Sequence, residues 1–432
     1  MTSSTYKLPF SKTSLEFTLP KGMHGTEVVS KPVKPIQDVK KAIREALDHP
    51  IGTPPLTELA KPGDQVCIVF TDITRAAPDQ LMVPALLSEL EKAGVHDEDI
   101  TLLCGIGMHR PSTMEEKNTK LSVDVARRYK VIDNEPQNPA VLVDMGITPG
   151  GTPVFLHRAA VDADLLIATG IVEPHQYAGY SGGRKTVAIG AAGEALIAHT
   201  HGPAFVDDPR TRLGQIEGNP FHEAVTEAAR RAKLRFIINV VLDDNKNLLR
   251  VSAGDMELAF QDLVTFAKSV YEVPISKQFD IAVGGVGYPK DTNIYQASRA
   301  PSYLFFAPTP VVKPGGFFII PARCEEGAGS GVGEQRFFKA LKDAPNIDYI
   351  LEDARKNGYP PGQQRAFVMA KVLEESNVII VGSECPELVK DCKMIPAATM
   401  EEAFEITINS MGPNCDVLIV PHAMLTLPVL QV

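Results

Sequence analysis

Four histidines and one lysine carry the residue types from which acid–base and ligand chemistry is built. His109 stands in "GMHRPST" (107–113), His175 and Lys185 in "EPHQYAGYSGGRKTVAIG" (173–190), and His199 and His201 in "AHTHG" (198–202). Histidine offers either a proton or a lone pair near neutral pH, so it serves as acid, base or metal ligand. Residues two apart do not share a helix face, so at most one of His199 and His201 turns into a common site. His24, His49, His96, His157 and His222 lack comparable neighbours and read as ordinary.

The stretch "GYSGGRKT" (179–186) is close to a phosphate-binding loop, but Arg184 stands where that motif needs a glycine directly before its lysine. An anion-holding turn through Ser181, Gly182, Gly183 and Arg184 stays open, as does a plain glycine-rich entry to a helix. In "TDITR" (71–75), Asp72 and Arg75 suit an orienting carboxylate and an anion clamp, or a simple loop ion pair. "NIYQASR" (293–299) adds Tyr295, Gln296 and Arg299. "GAGSGVG" (327–333) fits no dinucleotide fingerprint and reads as a flexible loop or lid.

These segments follow apolar, β-branched runs of strand length. "DQVCIVFTD" (64–72), "ITLLCGIGMH" (100–109), "ADLLIATGIV" (163–172) and "RFIINVVLDD" (235–244) predict buried strands in the first part of the chain. "FDIAVGGVG" (279–287), "GGFFIIPA" (315–322), "NVIIVGS" (377–383) and "CDVLIVPH" (415–422) repeat the pattern in the second. Amphipathic helical stretches such as 78–95 and 255–273 lie between them. Strands alternating with helices predict an α/β fold of mainly parallel sheets flanked by helices. In such sheets ligands bind beyond the carboxyl ends of the strands, which is where the polar segments fall.

A chain of 432 residues exceeds one ordinary core, so we expect two α/β domains, 1–275 and 276–432, with the active site in the cleft between them. The net charge of −10, from 43 basic and 53 acidic residues, argues against nucleic acid or anionic membrane as partner. No apolar run is long enough to span a bilayer and the N-terminus has no signal-like core, so a cytoplasmic protein is expected. The six cysteines form no CxxC pair, which argues against a zinc knuckle or a disulfide framework.

Taken together, "DITR", "GMHRPST", "EPHQYAGYSGGRK", "HTHG" and "NIYQ" resemble the nickel-dependent lactate racemase family, over roughly residues 70–300. The resemblance implies that Lys185 carries a pyridinium-3-thioamide-5-thiocarboxylic acid mononucleotide whose pincer holds nickel. It implies His201, rather than His199, as the protein's nickel ligand, and His109 and His175 as alternating acid and base. Cofactor contacts are expected from Asp72, Arg75, Ser181, Gly182, Gly183 and Arg184, and substrate contacts from Arg75, Tyr295, Gln296 and Arg299. Enzymes that mature the cofactor are implied partners.

The expected reaction is racemisation or epimerisation of a small 2-hydroxy acid by reversible hydride transfer. The family pattern has lysine where this chain has Arg299. Arginine is larger and grips a carboxylate through two nitrogens, so a larger or dicarboxylic substrate such as malate competes with lactate, as does a sugar acid. The alternatives are a phosphotransferase using the 179–186 loop and a protein that stores nickel or nucleotide without turnover.

Overall fold

The computed structural model describes residues 5–431, which form two compact units, each with its own parallel sheet. One unit holds residues 32–201 and 216–270; the other holds the chain up to Lys31, Gly202–Gln215 and everything from Tyr271 on.

In the first unit a six-stranded sheet runs in the order Leu248–Gly254, Leu234–Leu242, Leu165–Ile171, Val66–Thr71, Ile100–Gly105, Lys130–Asp133. All pairings are parallel except the first, an antiparallel edge. Every residue of Val66–Thr71 and Leu165–Ile171 is buried, as expected of central strands covered on both faces. The chain runs outward from Val66–Thr71 on one side and returns on its other side, so the strand order reverses between Val66–Thr71 and Leu165–Ile171. That reversal opens a crevice beyond the two carboxyl ends, where Thr71 leads to Asp72 and Ile171 leads to His175.

The other unit carries a wholly parallel six-stranded sheet, in the order Ile395–Ala397, Asn377–Val381, Val312–Pro321, Phe279–Gly284, Asp416–Val420, His24–Glu27. The strands expected from apolar runs are all present. The division between units differs from a single boundary near residue 275, for two physical reasons. His24–Glu27 pairs along Asp416–Val420, which takes the N-terminal segment into the far sheet. Asp207 bonds Arg355 at 2.8 Å and Lys371 at 2.6 Å, which ties 202–215 to the same unit. No helix among the described residues is long and apolar enough to cross a membrane.

Candidate active site

The segment after Leu165–Ile171 builds the centre of the site. A short hairpin, Pro174–His175 against Gly179–Tyr180, is closed at its neck by Ser181, whose hydroxyl bonds the carbonyl of Ile171 at 2.5 Å and accepts from Glu173 N at 3.2 Å. The chain then enters a helical turn, Gly183–Lys185, followed by a wide turn over 186–190 in which the Ala191 N–H reaches back five residues to Thr186 O at 3.2 Å. Wide turns of this kind are frequent at functional sites.

This turn lies directly on the strand ends, and its glycines are what allow it. A Cβ on Gly170 would sit 2.7 Å from the Gly183 nitrogen, and one on Gly190 would sit 2.8 Å from the Gly105 oxygen. Side chains at these points would lift Lys185 off the sheet. The N–H groups are also spent: Ser181 N on Glu173 O at 3.0 Å, Gly183 N on Asn239 Oδ1 at 3.1 Å, and Lys185 N on Gly182 O at 2.9 Å. Three amides that a phosphate nest would use are therefore already engaged, which weakens the support for a phosphate-binding loop.

Arg184 packs inward. Its side chain is buried with the guanidinium 3.4 Å from the Phe260 ring centroid, and His222 stacks on the same ring at 6.0 Å. Burial pulls its pKa down to about 9, so it stays cationic at neutral pH, held by cation–π attraction. Contacts of Ser181, Gly182, Gly183 and Arg184 hold the shape of the turn that carries Lys185.

Lys185 is the unusual group. Burial first, and the charge of Arg75 second, push its ammonium down to about 7, against the opposing pull of Asp72 and Glu173. Half of such amines are neutral at pH 7, and a neutral amine is a nucleophile. His201 follows the helix Glu194–Thr200. Burial and the Lys185 charge push its ring down to about 4, so it is neutral at physiological pH. Its Nδ1 lies 2.9 Å from Ile197 O, to which it donates, leaving the lone pair on Nε2. Metal-binding imidazoles characteristically donate their other N–H to a carbonyl or carboxylate in this way. His199, by contrast, is exposed.

The His201 ring meets Tyr177 edge-on at 5.3 Å and Phe221 at 5.0 Å between centroids. His175 packs against the same two rings at 5.8 and 6.2 Å. Asn219 anchors the group by donating to Tyr177 O at 2.8 Å. Tyr177, Phe221 and Asn219 were not singled out from the sequence. "NPF" signals a helix start at Pro220–Arg231, but nothing local says that its first turn faces two histidines.

Across the strand-order reversal stand Asp72 and His109. Asp72 Oδ2 lies 2.6 Å from His109 Nδ1, and Oδ1 accepts the Thr74 hydroxyl at 2.7 Å. Burial works against the Asp72 carboxylate, but the hydrogen bond and charge of His109, the Thr74 hydroxyl and Arg75 outweigh it. The carboxyl is held below its usual range. Asp72 thus bonds His109 and Thr74, with the Arg75 charge nearby.

Beneath this loop is a buried network invisible to motif reading. Lys120 Nζ bonds Asp79 Oδ2 at 2.7 Å, Thr71 Oγ1 at 2.9 Å, Arg75 O at 3.2 Å and Ala77 O at 2.8 Å. Thr71 and Thr169, on the two central strands, each donate to Asp79 at 2.5 Å. The helix that follows the His109 loop is thereby fastened to the loop that presents Asp72 and Arg75.

In the other unit Tyr295 and Gln296 lie on the short helix Ile294–Ala297, capped by Asn293 Oδ1, which accepts from Gln296 N at 2.9 Å. The glycine-rich stretch is not a loose lid at its base: Ile294 N bonds Gly327 O at 3.0 Å and Glu326 N bonds Thr292 O at 2.8 Å. Arg299 opens the next helix, Arg299–Phe305, with a buried Nε that has no partner among the described residues. The buried Arg365, missed in the sequence, donates to Ser302 Oγ at 3.1 Å and lies over the Tyr295 ring at 5.7 Å.

The first unit is thus a mainly parallel α/β unit that carries Lys185, His201, His109 and His175 on segments following its central strands. Comparison with known proteins gives the class a family. Residues 10–214 match the lactate racemase N-terminal domain and residues 275–427 the lactate racemase C-terminal domain. The chain is 31% identical over 423 residues to a lactate racemase of Thermoanaerobacterium thermosaccharolyticum, covering 97% of each. It is 34% identical over 390 residues to one of Lactiplantibacillus plantarum, covering 89% of this chain and 90% of that one. The structure of the Thermoanaerobacterium lactate racemase apoprotein superposes with a TM-score of 0.87 at 29% identity, over 99% of this chain and 100% of that one. A Thermotoga maritima protein shares the fold at a TM-score of 0.67 and 19% identity, over 91% and 98% of the two chains. The chain belongs to the lactate racemase family and is an isomerase.

Proposed function

We propose that the protein racemises a 2-hydroxy acid, with lactate as the first candidate and a larger or dicarboxylic acid such as malate as the second. The observation that carries this reading is the pair Lys185 and His201. A lysine brought to about 7 and a neutral imidazole with its lone pair on Nε2 lie within each other's electrostatic reach.

The donor set fits the nickel cofactor that the family resemblance implies. Among the described residues no cluster of three His, Cys, Asp or Glu side chains could hold a metal by itself. A single imidazole suits a metal whose other donors arrive with a tethered nucleotide. Lys185 would form that tether and His201 would complete the coordination. When bound, the pyridinium ring supplies a reversible acceptor for the hydride on the substrate's α-carbon, and the protein supplies position and charge.

The chain's own residues do the rest. The Asp72–His109 dyad would hold or release a proton at His109 Nε2, since Nδ1 is turned to the carboxylate. The resemblance assigns substrate contacts to Arg75, Tyr295, Gln296 and Arg299. The resemblance assigns His175 the complementary acid–base role. Partner enzymes that mature the cofactor follow from the same reading, as does action in the cytoplasm.

The test is to produce the protein with and without the cofactor pathway and follow adduct mass, nickel content and optical activity of lactate. Enantiomer exchange only in the matured protein, carrying a mass increment on Lys185, is expected. A mature, nickel-loaded protein inert toward 2-hydroxy acids would overturn the proposal.

A further inference from the structure

The second sheet has a strand-order reversal of its own. The chain steps outward from Phe279–Gly284 through Val312–Pro321, Asn377–Val381 and Ile395–Ala397, then returns to the other side of Phe279–Gly284 with Asp416–Val420. In such sheets the crevice beyond the carboxyl ends at that point is where ligands bind. Here a turn of the chain itself is seated at the strand exits. It is the tip of the N-terminal hairpin, Thr5–Phe10 paired with Thr13–Thr18. A Cβ on Gly285 would sit 2.9 Å from Pro9 Cδ, and one on Gly287 2.8 Å from Pro9 Cβ. Phe10 closes over Gly382 in the same way, its ring 3.0 Å from where a Cβ would stand.

Polar groups grip Ser11 at the tip. Its N–H donates to Asp291 Oδ2, its carbonyl accepts from Tyr288 N at 3.3 Å, and its hydroxyl accepts from Arg323 Nη1 at 3.4 Å. Asp291 is fully buried, and its Oδ1 has no hydrogen-bond partner among the described residues. A buried carboxylate oxygen left bare costs free energy, which leaves the Ser11 bond as what this side chain contributes. Burial pushes the carboxyl above its usual range, against the pull of the Ser11 N–H.

Asp291 stands two residues before Asn293, whose Oδ1 caps the helix Ile294–Ala297 by accepting from Gln296 N at 2.9 Å. Its backbone is held as well, with N–H on Gly287 O at 3.1 Å and the carbonyl accepting from Cys324 N at 2.8 Å. The carboxylate therefore couples the hairpin tip to the segment that carries Tyr295, Gln296 and Arg299.

We propose that the N-terminal hairpin is a working part of the substrate site, and that Asp291 is the positioning residue through which its tip sets the place of Tyr295 and Gln296. This rests on the racemase reading of the site. Lys185, His201, His109 and His175 all belong to the other unit. Loosening Asp291 therefore acts on substrate binding and leaves cofactor attachment alone.

The first arm of the experiment follows backbone hydrogen exchange by mass spectrometry in the full-length protein without cofactor. Asp291→Ala should speed exchange in segments 8–13 and 289–299, while 100–121 and 173–201 keep their protection. Asp291→Asn, which still accepts from Ser11 N, should restore the wild-type pattern. Because no turnover is read, this arm stands apart from whether the protein is a racemase.

The second arm uses matured protein at matched nickel. Asp291→Ala should raise KM for the 2-hydroxy acid by about tenfold, the scale of one hydrogen bond to a charged group, with kcat nearly unchanged. Pro9→Ala removes ring carbons that seat the turn and leaves Asp291 in place. It is read in both arms and should give the same pattern at smaller size, which keeps the test decisive if Asp291→Ala does not fold. Wild-type exchange in 289–299 of Asp291→Ala, or exchange that rises equally across both units, overturns the proposal. So does a fall in kcat with KM unmoved, or a Pro9→Ala protein unchanged in both arms.

Discussion

Asp72 Oδ2 and His109 Nδ1 stand 2.6 Å apart, with the second carboxylate oxygen taken by Thr74. On the proposed reading the dyad would fix which nitrogen of His109 is left for substrate and would support the imidazolium. Asp72→Asn keeps the shape and removes the charge. We predict a fall in kcat of about 10²-fold or more, with nickel content unchanged. Turnover near wild type at matched nickel would detach Asp72 from the reaction.

The same carboxyl makes a prediction for stability against pH. Its folded pKa lies below the ordinary value because the His109, Thr74 and Arg75 interactions outweigh burial. A depressed carboxyl stabilises the fold above its unfolded pKa, and that contribution fades as pH falls from about 4 through the folded value. Melting curves of wild type and Asp72→Asn should therefore converge on acidification below about pH 4. A gap that stays constant across that range would contradict the sign.

Lys185 predicts a rise of stability with pH as well, in a higher range, in the cofactor-free protein. Its pKa is lowered from 10.5 to about 7, so the folded state binds fewer protons than the unfolded state between those values, and stability rises with pH there. Lys185→Met should remove that rise and be at least as stable as wild type at pH 7. It should also abolish the covalent adduct, read by intact mass. An adduct that survives the substitution would remove Lys185 from its role.

His201→Ala should lose nickel and His199→Ala should keep it. His201 is half-buried with its Nδ1 proton committed to Ile197 O, whereas His199 is exposed. Metal analysis of the two matured variants decides this, and the reverse pattern would move the ligand by two residues.

Lys120 and Asp79 separate stability from catalysis. Removing Lys120 alone, as Lys120→Met, strands a buried carboxylate and should cost about 3–5 kcal/mol. Lys120→Met with Asp79→Leu should recover much of that, because a buried pair replaced by apolar groups is often close to neutral. Activity should stay low in both, since the carbonyls of Arg75 and Ala77 lose the ammonium that holds their loop. Full turnover in the double variant would show that the loop holds its shape without Lys120.

Much of this arrangement was legible in the sequence because it is local. The central strands are continuous apolar runs, and His109, His175 and Lys185 lie just beyond them. What stayed hidden is non-local. His24–Glu27 finds its partner at Asp416–Val420, a pairing that no local pattern in "HGTE" announces. Lys120 reads as a helical lysine until Asp79 and two threonines are brought around it. Arg184 and Ser181 sit in a motif that suggests ligand contact, yet one stacks on Phe260 and the other ties backbone together. The type of residue was informative; its direction was set by tertiary packing.

Arg299 tests the substrate. Its fork can hold a carboxylate by two hydrogen bonds, and a charged contact of that kind is worth roughly 1.5–3 kcal/mol. If it grips a second carboxylate, Arg299→Lys should cut kcat/KM for malate by about tenfold while leaving lactate little changed. An unmoved malate-to-lactate ratio would place Arg299 away from substrate selection.

The most direct measurement of the central claim is chiral chromatography of single-enantiomer lactate incubated with the matured, nickel-loaded protein. The account predicts that either enantiomer decays to an equal mixture, and that Lys185→Ala and His109→Ala abolish the exchange. Enantiomers that persist unchanged, across lactate, malate and a panel of other 2-hydroxy acids, would contradict it.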